Sequence, residues 1–100
     1  IYKAINYIRN NYYDSEIDLS AVAEHVGLSP SYFSNLFKEE TGMTYTEYLH
    51  KVRIETAKQI LLEDHSLSMV AQAVGFNDQS YFSKIFKKLE GISPGQWKNK

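Results

Sequence analysis

Two stretches of this chain carry side chains with recognition chemistry. If residues 30–41 form a helix that buries Phe33 and Phe37, its outer face presents Ser31, Ser34, Asn35 and Lys38. If the stretch around Phe82 and Phe86, up to Gly91, does the same, the outer face presents Gln79, Ser80, Ser83, Lys84 and Lys87. Hydroxyls, amides and ammonium groups on a narrow helix face suit hydrogen bonding to base edges and phosphate oxygens. An ordinary solvated face would also be polar, and for a lone helix that reading is sufficient. Catalytic chemistry finds no such support. His25, His50 and His65 are too far apart in sequence for an i, i+4 ligand pair, and there is no HExxH, so metal binding is not expected. There is no glycine-rich phosphate loop, and no histidine–carboxylate arrangement is inferable around any serine, so neither an enzyme nor a cofactor is expected.

The two polar faces belong to an internal repeat. Leu19, Ser20, Val22, Ala23, Val26 and Gly27 recur as Leu67, Ser68, Val70, Ala71, Val74 and Gly75. One residue is inserted in the turn, and then Tyr32, Phe33, Ser34, Phe37, Lys38 and Gly42 recur as Tyr81, Phe82, Ser83, Phe86, Lys87 and Gly91. Two unrelated solvent faces have no reason to follow equivalent turns at equivalent positions. The chain holds one supersecondary unit twice.

Each unit reads as helix, tight turn, helix. Asp18 is placed to cap a helix whose apolar residues Leu19, Val22, Ala23 and Val26 share one face. Gly27 ends it, since glycine takes the left-handed conformation without a Cβ penalty. Ser29 and Pro30 then start the second helix as N-cap and first helical residue; Phe33, Leu36 and Phe37 are its buried face, and Gly42 stops it. In the second unit Ser66 and Asn77 offer the equivalent caps, and Val70, Val74, Phe82, Ile85 and Phe86 the core stripe. Residues 1–13 read as a further helix with Ile1, Ile5, Ile8 and Tyr12 inward. Residues 45–62, opened by a Thr44–Glu47 capping box, read as a long amphipathic helix joining the units through Tyr45, Tyr48, Leu49, Val52, Ala57, Ile60 and Leu61. Ser93-Pro94 begins a short last helix whose Trp97 closes the second core. The expectation is an all-α fold of about seven helices: residues 1–43 a first helix-turn-helix subdomain, 44–62 a linker helix and 63–100 a second subdomain.

Composition sets the outer limits. One hundred residues with 43% hydrophobic content suffice for one domain with its own core. The longest unbroken apolar stretch is as short as Ile60-Leu61-Leu62, so there is no membrane-span or signal-peptide pattern. The absence of cysteine excludes disulfides and thiolate metal sites and favours a cytoplasmic setting. A start at Ile1 suggests a piece of a longer protein. The net charge of −1 conceals an asymmetry: residues 1–50 hold three basic against seven acidic side chains, residues 51–100 eight against five. Composition alone would not suggest a nucleic-acid partner.

The pattern LSPSYFSNLFKEETG at 28–42, the spacing of Tyr48, Leu49, Arg53, Ala57, Leu61 and Leu62, and the block VGFNDQSYFSKIFKKLEGISP at 74–94 together resemble the DNA-binding domain of the AraC/XylS family of bacterial transcription regulators. The resemblance covers nearly the whole chain and implies a homeodomain-like, paired helix-turn-helix fold. It further implies sequence-specific binding to a double-stranded DNA operator, both turn-following helices entering the major groove from one monomer. The positions matching the family's base-reading residues are Ser31, Ser34, Asn35, Gln79, Ser80, Ser83 and Lys84. Those assigned to backbone contact are Tyr32, Lys38, His50, Lys51, Tyr81 and Lys87. Arg53 reads as structural, paired with an acidic neighbour. Where the family carries an aromatic residue and then arginine after the Ser-Pro, this chain has Trp97-Lys98, so a bidentate role does not carry over. The implied partners are operator DNA, RNA polymerase for an activator, and a sensory or receiver domain on the N-terminal side, without a membrane. The alternative is a helix-turn-helix domain turned to protein–protein contact.

Overall fold

A computed structural model describes residues 1–99 as seven helices, with no strand among them. They are α1 (Tyr2–Asn11), α2 (Leu19–His25), α3 (Pro30–Thr41), α4 (Tyr45–Leu61), α5 (Leu67–Ala73), α6 (Gln79–Glu90) and α7 (Pro94–Lys98). The short helices start where side chains can satisfy their free N–H groups. Asp18 accepts from the Ala21 N–H at 2.8 Å, Ser29 from Tyr32 at 3.3 Å and Ser66 from Met69 at 3.1 Å. Thr44 and Glu47 bond reciprocally at 3.1 and 2.8 Å, and Ser93 does the same with Gln96 at 3.2 and 3.1 Å.

The cap of α6 differs from the expectation. It is Asp78, not Asn77, whose carboxylate accepts from the Ser80 N–H at 2.8 Å. The residue inserted in the second turn moves the helix start one position along, and the ionised carboxylate takes the N-terminal place that the helix dipole favours.

α4 is the common wall of two apolar cores. The first gathers Ala4, Ile8, Ile17, Val22, Ala23, Phe33 and Phe37 against Tyr45, Tyr48, Leu49 and Val52. The second gathers Val70, Ala71, Val74, Phe76, Phe82, Ile85 and Phe86 against Ile54, Ala57 and Leu61, with Trp97 packed at its edge. Leu36 and Ile60, expected among the buried residues, are only half-buried. Lys58 pairs with Glu90 at 3.2 Å between α4 and α6, and Lys98 donates to the His65 carbonyl at 2.9 Å, holding α7 against the α4–α5 loop.

Among the described residues Arg53 is the one charged residue that is buried, 7% exposed. Its partners are not the carboxylate expected of it. Nε donates to the Tyr12 carbonyl at 2.8 Å and Nη2 to the Asp14 carbonyl at 3.0 Å. Both carbonyls lie beyond α1, which stops at Asn11 and not at residue 13, and that of Asp14 also accepts from the Ile17 N–H at 3.2 Å. A guanidinium can reach main-chain oxygens in a loop as readily as a carboxylate, and here they satisfy two of its donors.

Candidate nucleic-acid interface

The repeated unit is reproduced down to its main-chain bonds. The Leu28 N–H donates to the Ala23 carbonyl at 3.0 Å, and in the second unit Phe76 donates to Ala71 at 2.9 Å. Gly42 and Gly91 close α3 and α6 by donating to Lys38 and Lys87, both at 2.8 Å. Within each helix two phenylalanines set the rotation. Phe33, Phe37, Phe82 and Phe86 have no exposed surface. Burying one such ring contributes roughly 1.5–3 kcal/mol, so turning the helix to present another face would expose both of its rings at a cost no exposed polar contact offsets.

What remains outside is the same stripe on both helices. Ser31, Asn35 and Lys38 are exposed on α3 and Ser34 is half-buried; Ser80, Lys84 and Lys87 are exposed on α6 and Ser83 is half-buried. Each set steps by three, one and three residues, which places it on a single helical face. Ser31, Ser34 and Asn35 line one cleft with Leu19 and Pro30. Gln79 is exposed and lines the corresponding cleft of the second unit with Ser68, Gln72 and Asn77. Sequence spacing passed over Ser68, Gln72 and Asn77; the signal was their position just ahead of, or on the helix before, a polar face. Tyr32 and Tyr81 are 58% and 47% exposed and stand outside both cores, the Tyr81 ring meeting those of Phe76 and His50 at centroid distances of 6.0 and 5.9 Å.

The two α4 candidates have different surroundings. His50 is half-buried, its ring 6.0 Å from Phe76 and 5.9 Å from Tyr81 between centroids. Burial, with smaller contributions from the Arg53 and Lys88 charges, holds its imidazole below the ordinary value, so near neutral pH it offers an N–H and no charge. Lys51 is exposed in a groove that also holds the carboxylates of Glu55 and Glu90.

Charge divides the two faces. Lys38 is followed by exposed Glu39 and Glu40, whereas the α6 face and its flank carry Lys84, Lys87 and Lys88. Among the described residues no cluster of His, Asp or Glu could hold a metal ion, and no helix is long and apolar enough to cross a membrane.

Comparison with known proteins agrees with this geometry. Residues 22–100 match the family model described as a helix-turn-helix domain. The arabinose operon regulatory protein of Escherichia coli K12 is 39% identical over 97 residues, which is 96% of this chain and 33% of that protein. The chain thus spans about a third of the length of that regulator. Among solved structures, the C-terminal domain of AraT, a response regulator from Geobacillus stearothermophilus, superposes with a TM-score of 0.95 at 36% identity, covering 98% of this chain and 82% of that one. The C-terminal domain of the two-component response regulator yesN from Fusobacterium nucleatum gives a TM-score of 0.92 at 38% identity, covering 95% and 93%. Each of these relatives is a regulator by name, and the matched stretches take in both helix-turn-helix units of this chain. It belongs to the AraC/XylS family, as the helix-turn-helix DNA-binding domain of a transcription regulator.

Proposed function

We propose that the chain binds double-stranded DNA sequence-specifically, with α3 and α6 in successive major-groove segments on one face of the duplex. One observation carries this reading: two helices, each locked in rotation by a pair of buried phenylalanines, present a polar stripe at identical helical positions. Ser31, Ser34, Asn35, Gln79, Ser80, Ser83 and Lys84 are the base readers in this scheme. Tyr32, Lys38, Tyr81 and Lys87 take the backbone, with His50 as a neutral donor and Lys51 as a flanking charge. Residues 1–43 and 63–100 act as the two reading units and 44–62 as the spacer. The molecule is 42 Å long and 22 by 20 Å across, an elongated body suited to lying along a duplex.

In the whole protein we place a sensory or receiver domain on the N-terminal side and RNA polymerase as the protein partner at the promoter. Selection of bound sites from random duplex DNA tests the DNA reading. The expected result is a bipartite motif with two conserved clusters one helical turn apart. Enrichment of a single short cluster, or of none, overturns it.

A further inference from the structure

Three segments distant in sequence meet at Arg53. Tyr12 and Asp14, in the loop after α1, accept its Nε and Nη2 through their carbonyls. Phe76, in the turn between α5 and α6, lies under the guanidinium, 5.3 Å from its central carbon to the ring centroid. Gly75, in the same turn, has φ +103, and a Cβ there would meet the Tyr12 carbonyl oxygen at 2.5 Å and Arg53 Nε at 2.9 Å. The main chains of the two units therefore touch at this point with no side chain between them. Along α4, Arg53 falls between Val52, which packs into the first core, and Ile54, which packs into the second. That is the point about which one unit would swing relative to the other.

Burying a guanidinium is costly, and well-packed apolar side chains often fill such a space as favourably. What the planar donor fork adds is direction, since its N–H vectors are set by the plane of the group. We propose that Arg53, together with Gly75, is a positioning residue that locks the α3 and α6 units at one mutual angle and thereby sets the base-pair spacing accepted between the two halves of the DNA site. The spacing role rests on the two-groove reading; the locking of the angle does not.

The chain has no cysteine, so a pair introduced at exposed Glu24 and Ala73, one in each unit, carries spin labels cleanly. Arg53→Lys and Gly75→Ala disturb the contact from opposite sides, so a folding loss in one leaves the other to be read. Pulsed dipolar spectroscopy on the free protein should show one narrow distance distribution that broadens in either variant. Inserting one base pair between the two halves of the selected site rotates and displaces one half by about a tenth of a turn. Wild type should then lose about tenfold in affinity and the variants about threefold or less. A distribution that stays narrow in both variants overturns the lock, whatever the DNA results. A broadened distribution with the wild-type spacing penalty intact overturns the spacing role. A wild type indifferent to the insertion counts against the two-groove reading instead, and leaves the distance measurement to judge the lock.

Discussion

Asn35 and Lys84 stand at the same address on their two helices. Each lies six residues past its N-cap, Ser29 or Asp78, and two residues past a phenylalanine with no exposed surface. One presents an amide and the other an ammonium group, so the two exposed faces differ in chemistry at equivalent positions.

From this, Asn35→Ala and Gln79→Ala should each cost roughly 1–3 kcal/mol at one or two neighbouring base pairs, because an amide bonds adenine at two points. The sensitive base pairs should form two groups about one helical turn apart. Competition binding against singly substituted sites measures this. Overlapping footprints for the two variants would remove one helix from its groove.

Lysine replacements should separate by kind. Lys84→Ala should relax base preference at its position, whereas Lys87→Ala should weaken all sequences alike and lower the salt slope by about one. Affinity measured across a salt series on matched and mismatched sites distinguishes them. Equal losses on every sequence for both variants would place Lys84 on phosphate.

The caps give a stability prediction free of DNA. Asp78→Ala should lower unfolding free energy by about 1 kcal/mol, as loss of an N-cap does, and Asn77→Ala by much less. Urea denaturation at neutral pH decides between them, and the opposite order would return the cap to Asn77.

Much of this was legible in the sequence, for a physical reason. Helix ends are local events, so Asp18, Ser29, Thr44, Ser66 and Ser93 reveal themselves as caps, and paired phenylalanines in a repeat reveal which way a helix faces. The shift from Asn77 to Asp78 was legible too: the alignment that pairs Tyr32 with Tyr81 sets Asp78 opposite Ser29. The surroundings of Arg53 were not, because its partners are main-chain carbonyls about forty residues away, and a carbonyl leaves no mark in a sequence. The clefts beside α3 and α6 were likewise hidden, since they arise from how two helices cross.

His50 makes stability depend on pH. Its imidazole is held below the ordinary value of 6.5 by burial first and then by Arg53 and Lys88. The unfolded chain therefore takes up the proton at higher pH than the folded one. The stability tied to the neutral ring is whole above about pH 6.5, declines as the pH falls, and levels off below the folded value. Glu47, lowered by its bonds to Thr44, acts in a separate window below 4.5. Unfolding midpoints between pH 8 and 5 should slope in wild type and flatten in His50→Phe. An unchanged slope would assign it elsewhere.

DNA shape is the last expectation. The 17 residues of α4 span about 26 Å, shorter than the roughly 34 Å between groove segments on straight duplex. Full engagement should bend the DNA toward the protein by a few tens of degrees, at a cost of order 1–6 kcal/mol. Circular-permutation gel shifts report the bend. A straight complex still weakened by both Asn35→Ala and Gln79→Ala would contradict it.

Because α4 gives Tyr48, Leu49 and Val52 to one core and Ile54, Ala57 and Leu61 to the other, neither half can melt without stripping a wall from its neighbour. The duplicated units should thus denature as one cooperative body, in a single transition. The amides of α4 should exchange with solvent only on global opening, at the same free energy from one end of the buried stretch to the other.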